Sequence, residues 1–268
     1  MSTPLLVGLP YDASSSFLRG PAEAPVAVRR ALHGGSSNWS TERGIDLDPA
    51  AGRWCDVGDL EVPDDPAAAS TSIREAAATF DGPTVALGGD HFVTFPLVAA
   101  LARRHRDLTI LHVDAHPDLY DELDGQRLSH ACPFARIMEA GHAARLVQFG
   151  IRTLTAHQRE QADRFGVEIH TAADWDGSLP EVHGDVYVTI DVDGLDPAFA
   201  PGVSHHEPGG LTTRQVLGLV HQLADAPGAR LVGADVVEIN PRRDHHDMTA
   251  MVGAKLVKEF LGLLVEQG

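Results

Sequence analysis

Apolar residues along this chain come in short unbroken runs, and each run gives way to a cluster of Gly, Asp, His or Pro. Runs too short to show a helical period and bounded by turn residues predict buried strands. They fall at 5–9, 84–87, 109–113, 145–151, 186–190 and 231–239, with shorter ones at 54–57 and 167–170. Helical stretches lie between them. One opens at Pro21 or Pro25, runs through Leu32 and closes at Gly34-Gly35; others cover 67–80, 92–104, 132–139, 157–165, 212–223 and 248–265. Strands apolar throughout that alternate with helices predict a parallel sheet covered on both faces. No repeat or linker composition interrupts the pattern. The expectation is one α/β domain over residues 1–268, three layers (α/β/α) around a mostly parallel sheet.

In such sheets ligands gather at the carboxyl ends of the strands. The polar clusters fall there: His91 after 84–87, Asp114 to Asp118 after 109–113, Asp191 and Asp193 after 186–190, and Glu238 at the end of 231–239. The stretch at 109–118 is the most informative. Asp114, His116 and Asp118 occupy alternate positions, so an extended chain sends all three to one side, roughly 7 Å apart per step. Pro117 removes a backbone donor, as suits a strand running out into a loop. No core requires two aspartates around a histidine; a metal centre does. His112 is expected to face away from Asp114 and pack in the core.

Composition narrows the function classes. The 268 residues carry a net charge of −17, which argues against nucleic acid, since that partner needs basic stripes. The charge favours a cationic small molecule, although solubility alone would also account for it. Cys55 and Cys132 are the only cysteines, so neither a disulfide framework nor a thiolate zinc site is expected. Cys132 reads as a small apolar filler. The first residues lack a charged n-region and a full apolar h-region, and no apolar run reaches membrane-spanning length. A cytoplasmic protein with no membrane partner is the expectation.

Two histidines (His91, His116) and four aspartates (Asp114, Asp118, Asp191, Asp193) make an oxygen-rich site of charge near −4, which two divalent ions would balance. This donor set suits manganese, with iron, nickel and zinc left open. Two such ions about 4 Å apart lower the pKa of a shared water, so the reaction class is metal-assisted hydrolysis.

The order of motifs is specific. Gly88-Gly-Asp-His91, Asp114-Ala-His-Pro-Asp118 and Asp191-Val-Asp193-Gly-Leu-Asp-Pro197 together resemble the ureohydrolase (arginase/agmatinase) family. The resemblance extends to Gly8-Leu-Pro-Tyr-Asp12, Gly150-Ile-Arg152, Glu207-Pro-Gly-Gly-Leu211 and Val237-Glu-Ile-Asn-Pro241, and so covers most of the chain. It implies an arginase-like fold, two manganese ions per chain, and trimers or hexamers. Residue by residue, it implies His91, Asp114, Asp118 and Asp191 around one ion. Asp114, His116, Asp191 and Asp193 would surround the other, with Asp114 and Asp191 bridging. Glu238 would hold the substrate guanidinium, a role that suits a carboxylate facing a planar fork of donors. His130 would move a proton to the leaving amine.

Departures from the family pattern bear on substrate. The Asn and Ser groups by which arginases read an amino-acid carboxylate are replaced by Leu119-Tyr120 and 124–128, and the aspartate after Gly150-Ile-Arg152 is absent. These features lean toward agmatinase-like members and toward agmatine, with Asp121, Glu122 and Asp124 meeting a distal ammonium. An inward Arg127 would instead suit guanidinobutyrate. The Val203-Ser-His-His206 stretch also departs from the agmatinase pattern. The paired histidines His205/His206 and His245/His246 read as solvated loop residues, and Asp90 as a backbone acceptor. Among rivals, a dimetal phosphoesterase lacks its expected motif order, a one-zinc deacetylase would not need six ligands, and a non-catalytic family member would not need His130 and Glu238.

Overall fold

The computed structural model describes residues 2–268. Eight strands form one sheet: β1 (Leu5–Gly8), β2 (Cys55–Asp59), β3 (Thr84–Leu87), β4 (Thr109–Val113), β5 (Arg145–Ile151), β6 (Glu168–Thr171), β7 (Gly184–Asp191) and β8 (Ala229–Val237). Their order across the sheet is β2-β1-β3-β8-β7-β4-β5-β6. Every neighbouring pair is parallel. Six α-helices lie between them, α1 (Ala24–Leu32), α2 (Pro66–Ala78), α3 (Thr94–Leu101), α4 (Pro133–Glu139), α5 (Ala156–Phe165) and α6 (Thr213–Asp225), and α7 (Met248–Gln267) follows β8.

Strand alternation divides the apolar side chains between two faces. Leu6, Leu111, Val113, Val147, Phe149 and Val188 pack with α1, α6 and α7. Val7 and Ala86 pack under α2 and α3, and Ile110, Leu146 and Tyr187 under α3, α4 and α5. The central strands are buried on both sides, so their sequence reads as continuous apolar runs. Each fully buried Leu, Ile, Val or Phe contributes about 1.5–3 kcal/mol. The edge strand β2 is largely exposed, which is why its sequence (Cys-Asp-Val-Gly-Asp) carries so weak a strand signal. No helix among the described residues is long and apolar enough to cross a membrane.

Most boundaries shift by one or two residues from the sequence reading, and two of the differences shape the carboxyl edge of the sheet. The 92–104 helix is α-helical only from Thr94 to Leu101, because the Asp90 carboxylate caps Phe92 N–H at 3.2 Å and a 3₁₀ turn forms over His91–Val93. Strand β8 stops at Val237 rather than 239, because Glu238 turns into the left-handed region (φ 64°). A non-glycine residue pays backbone strain there, which persists only where surrounding contacts impose it.

Candidate metal centre and active-site pocket

Four strand ends deliver the site. His91 follows β3, Asp114, His116 and Asp118 follow β4, Asp191 and Asp193 follow β7, and Glu238 follows β8. Strands β3, β8, β7 and β4 are consecutive in the sheet, so residues up to 147 apart in sequence converge along one edge. Backbone hydrogen bonds set the side chains. His116 N–H donates to Asp114 Oδ1 at 2.6 Å, Ala115 N–H to Asp193 Oδ1 at 3.2 Å, and Asp193 N–H to Asp191 Oδ1 at 2.9 Å. Gly194 lets this happen. A Cβ there would lie 2.8 Å from Asp114 N, so only glycine lets the turn after β7 approach the root of the β4 cluster.

Three groups of potential ligands result, His91/Asp114/Asp118/Asp191, Asp114/His116/Asp193 and His91/His112/Asp114, with Asp114 common to all. In the first, Nδ1 of His91 is fully buried and faces Asp114 Oδ2 at 3.2 Å, Asp118 Oδ2 at 3.0 Å and Asp191 Oδ2 at 3.2 Å. Yet Nδ1 makes no hydrogen bond to any of them. A buried nitrogen ringed by three carboxylate oxygens it does not bond is a cradle for a cation, and these residues fit a divalent metal. In the second group His116 Nδ1 lies 3.1 Å from Asp193 Oδ2 and 3.4 Å from Asp114 Oδ1. Burial, then the charges of Asp193 and Asp114, push the Asp191 carboxyl well above its usual range. Burial likewise carries Asp193 to about 6. Such crowding of carboxylates is relieved by cations.

His112 differs from the sequence reading. Residues two apart on a strand share a face, so His112 lies on the Asp114 side. It is buried, but its Nε2 sits 2.8 Å from Asp114 Oδ2, and Gln148 Nε2 sits 3.0 Å from its Nδ1. His91 is oriented in the same manner, with Nε2 3.0 Å from the Thr189 hydroxyl. Imidazole and hydroxyl partners of this kind fix the orientation of metal-type ligands. Asp90 acts as expected, accepting from Ser14 N–H at 2.9 Å and Phe92 N–H.

Beside this cluster Glu238 and His130 form a buried pair. Glu238 Oε1 accepts His91 N–H at 2.9 Å and lies 2.8 Å from His130 Nδ1. Its second oxygen, Oε2, is buried with no partner. Burial lowers the pKa of His130, but the Glu238 carboxylate outweighs it and raises the ring to about 9. The other ring nitrogen faces Ser16, with the hydroxyl at 2.8 Å and the amide at 3.2 Å. The Ser16 loop is held by Asp12, whose Oδ2 accepts Gly20 N–H at 2.7 Å and Ala22 N–H at 3.3 Å. These groups floor a cavity of about 270 Å³, near the lower end for small-molecule sites. Tyr120, Leu123, Thr153, Thr155, Gln158, His205 and Glu207 complete its wall.

The Arginase family profile matches residues 3–262. The chain belongs to the arginase family. Arginase 1, mitochondrial, from Arabidopsis thaliana is 46% identical, over 95% of this chain and 79% of that protein. An agmatinase from Bacillus cereus is 32% identical, over 96% and 90% respectively. The structure of an arginase from Medicago truncatula superposes with a TM-score of 0.87 at 42% identity, covering 97% of this chain and 87% of that one. The fold is therefore that of the arginase family, whose members are hydrolases acting on C–N bonds. The lean toward agmatinases read from the sequence is not mirrored in these identities, which are higher for the plant arginases.

The arginase-family pocket also departs from the sequence reading in its outer wall. Arg127 points away from the cavity, bound to Asp121 at 2.5 Å and Glu139 at 3.0 Å. Asp121 is further held by Arg136 at 2.9 Å, and neither Glu122 nor Asp124 lines the cavity. These acids are thus not poised for a distal ammonium. His205, expected in solvent, is half-buried in the wall, its ring centroid 5.3 Å from that of His130 and 6.0 Å from that of His116. The bridge pairing Val203 with Ile239 folds its loop inward. His206 does lie on the surface, at Pro201 O. Ser16, His205 and Glu207 are the site residues that the sequence did not reveal as such.

Proposed function

We propose that this chain is a dinuclear manganese amidinohydrolase that cleaves a small guanidino compound to urea and an amine. The observation that carries the reading is the unpartnered, buried Oε2 of Glu238 on the wall of a pocket floored by the His/Asp cluster. A guanidinium offers parallel N–H donors, and a carboxylate with a free oxygen is its natural acceptor. His91, Asp114, Asp118 and Asp191 would hold one ion, and Asp114, His116 and Asp193 the other. When bound, the ions would supply Lewis-acid activation of water at neutral pH. Asp114 belongs to both of these groups, so it would serve both ions.

The protein's own groups account for the remaining steps. Glu238 holds the guanidinium so that its carbon faces the cluster. His130, kept protonated at neutral pH by Glu238, stands ready to give a proton to the departing amine. The Ser16 hydroxyl oxygen, 2.8 Å from Nε2, can accept from the protonated ring and so orients it.

For the substrate itself we put arginine first, because identity to plant arginases spans nearly the whole chain and the Gln158 amide and Tyr120 on the wall are neutral donors for a carboxylate. Agmatine is the second reading. It is favoured because no Lys or Arg side chain lines the cavity, and because the Thr153 and Thr155 hydroxyls already donate to Ala115 O and Gln158 Oε1. Urea release from arginine, agmatine and guanidinobutyrate with added manganese tests the proposal. We expect kcat/KM for arginine to exceed that for agmatine; the reverse order would install agmatine, and no urea from any guanidino compound would overturn the reaction itself.

A further inference from the structure

Of the carboxylates lining the cavity, Asp118, Asp191 and Asp193 belong to the metal-type cluster and Glu238 is paired with His130. One remains. Glu207 is half-buried in the wall, and its carboxylate pairs with no side chain among the described residues. Its backbone, by contrast, is tightly fixed. The Glu207 carbonyl accepts from Arg152 Nε at 2.9 Å and Nη2 at 2.6 Å. The same guanidinium donates to Asp193 O at 2.7 Å and Gly150 O at 3.0 Å. Two residues on, Gly209 N–H is held by Asp196 Oδ2 at 2.7 Å. Arg152 therefore ties the position of Glu207 directly to the backbone of a cluster residue. An acid with a free head on an anchored stem, in a wall that is otherwise neutral beyond the cluster, awaits a cation.

We propose that Glu207 is the specificity residue of this pocket, receiving an ammonium at the end of the substrate away from the guanidinium. The inference rests on the guanidino-hydrolase reading above and deepens it. It selects guanidino compounds with a distal amine, a feature common to arginine and agmatine, over those ending in a carboxylate or a methyl group. It also gives the outer pocket the role that Asp121, bound to Arg127 and Arg136, does not fill. A charged hydrogen bond to a distal amine contributes to binding in ground and transition states alike, so its loss raises KM more than it lowers kcat.

The test compares wild type, Glu207→Gln and Glu207→Lys, each loaded with manganese, on arginine, agmatine, guanidinobutyrate and butylguanidine. Glu207→Gln is expected to lower kcat/KM for arginine and agmatine roughly 10- to 100-fold, mainly through KM, as befits one charge-assisted hydrogen bond. Butylguanidine, which has no distal charge, should be unaffected. Glu207→Lys should shift preference toward guanidinobutyrate. An equal loss on butylguanidine would show a purely structural role, and unchanged ratios would show that the ammonium lies elsewhere; either overturns the inference. Wild type that releases urea from none of the four would overturn the underlying reaction instead.

Discussion

The pairing of His130 with Glu238 makes a quantitative prediction. In metal-stripped protein, His130 sits 2.8 Å from a buried carboxylate and its pKa rises from 6.5 to about 9. That rise corresponds to about 3 kcal/mol favouring the protonated ring in the folded state. Because the folded value lies above the unfolded one, the contribution is full below pH 6.5. It declines as pH rises through the window and is gone above about 9. Glu238→Gln removes the charge but keeps the shape, leaving burial opposed only by the lesser pull of Asp90 and Asp118, so the pKa of the ring should fall back toward the ordinary imidazole value. One contact opposes the shift: the Ser16 amide points at Nε2 from 3.2 Å and favours a neutral ring. The assay is an NMR titration of the imidazole Cε1 proton, assigned with His130→Ala, alongside denaturant unfolding at pH 6 and pH 9. We expect wild type to lose about 3 kcal/mol more than Glu238→Gln over that interval. A His130 that titrates near 6.5 in both proteins would refute the electrostatic argument and leave the Ser16 amide as the stronger influence.

The remaining predictions concern the cluster and its support. Elemental analysis should find two ions per chain, and Asp114→Asn should lose both occupancy and activity, since Asp114 is common to both ligand groups; one tightly held ion in fully active protein would contradict this. His130→Ala should retain its metals while turnover falls roughly 10²- to 10⁴-fold, the usual worth of a positioned acid. Near-normal turnover across pH would make His130 a bystander. Gly194→Ala forces a Cβ to 2.8 Å from Asp114 N, so unfolding experiments should show a loss of about 1–3 kcal/mol. Unchanged stability would mean that the turn has slack that its packing does not suggest.

What the sequence made legible follows the length scale of each constraint. Buried parallel strands announce themselves because both faces must be apolar, so β3, β4, β5 and β7 appeared within a residue or two of their bounds. Alternation also drew attention to Asp114, His116 and Asp118, although β4 ends at Val113, the chain bends at 115–116 and Asp118 is left-handed (φ 49°), so a turn and not an extended strand brings them to the site. The same rule, applied one step back, assigns His112 to their side; reading it as facing away was an error of parity, not of principle. Residues placed by distant partners were beyond reach. Ser16 meets His130 across 114 positions, through a loop pinned by Asp12. His205 and Glu207 face the cavity because of a bridge to Ile239 and a clamp from Arg152. Asp121 is engaged by Arg136, 15 residues on, and so is not available to a ligand. The substrate reading failed to anticipate Glu207 for a related reason. An aspartate missing after Arg152 shows only that this position does not supply the charge, while Arg152 itself positions another acid, from a loop 55 residues later, at the same cavity. A pocket is defined by which charges face it, and several chain segments can deliver an equivalent charge. Subtraction at one segment therefore argues about substrate only after every segment lining the cavity has been counted.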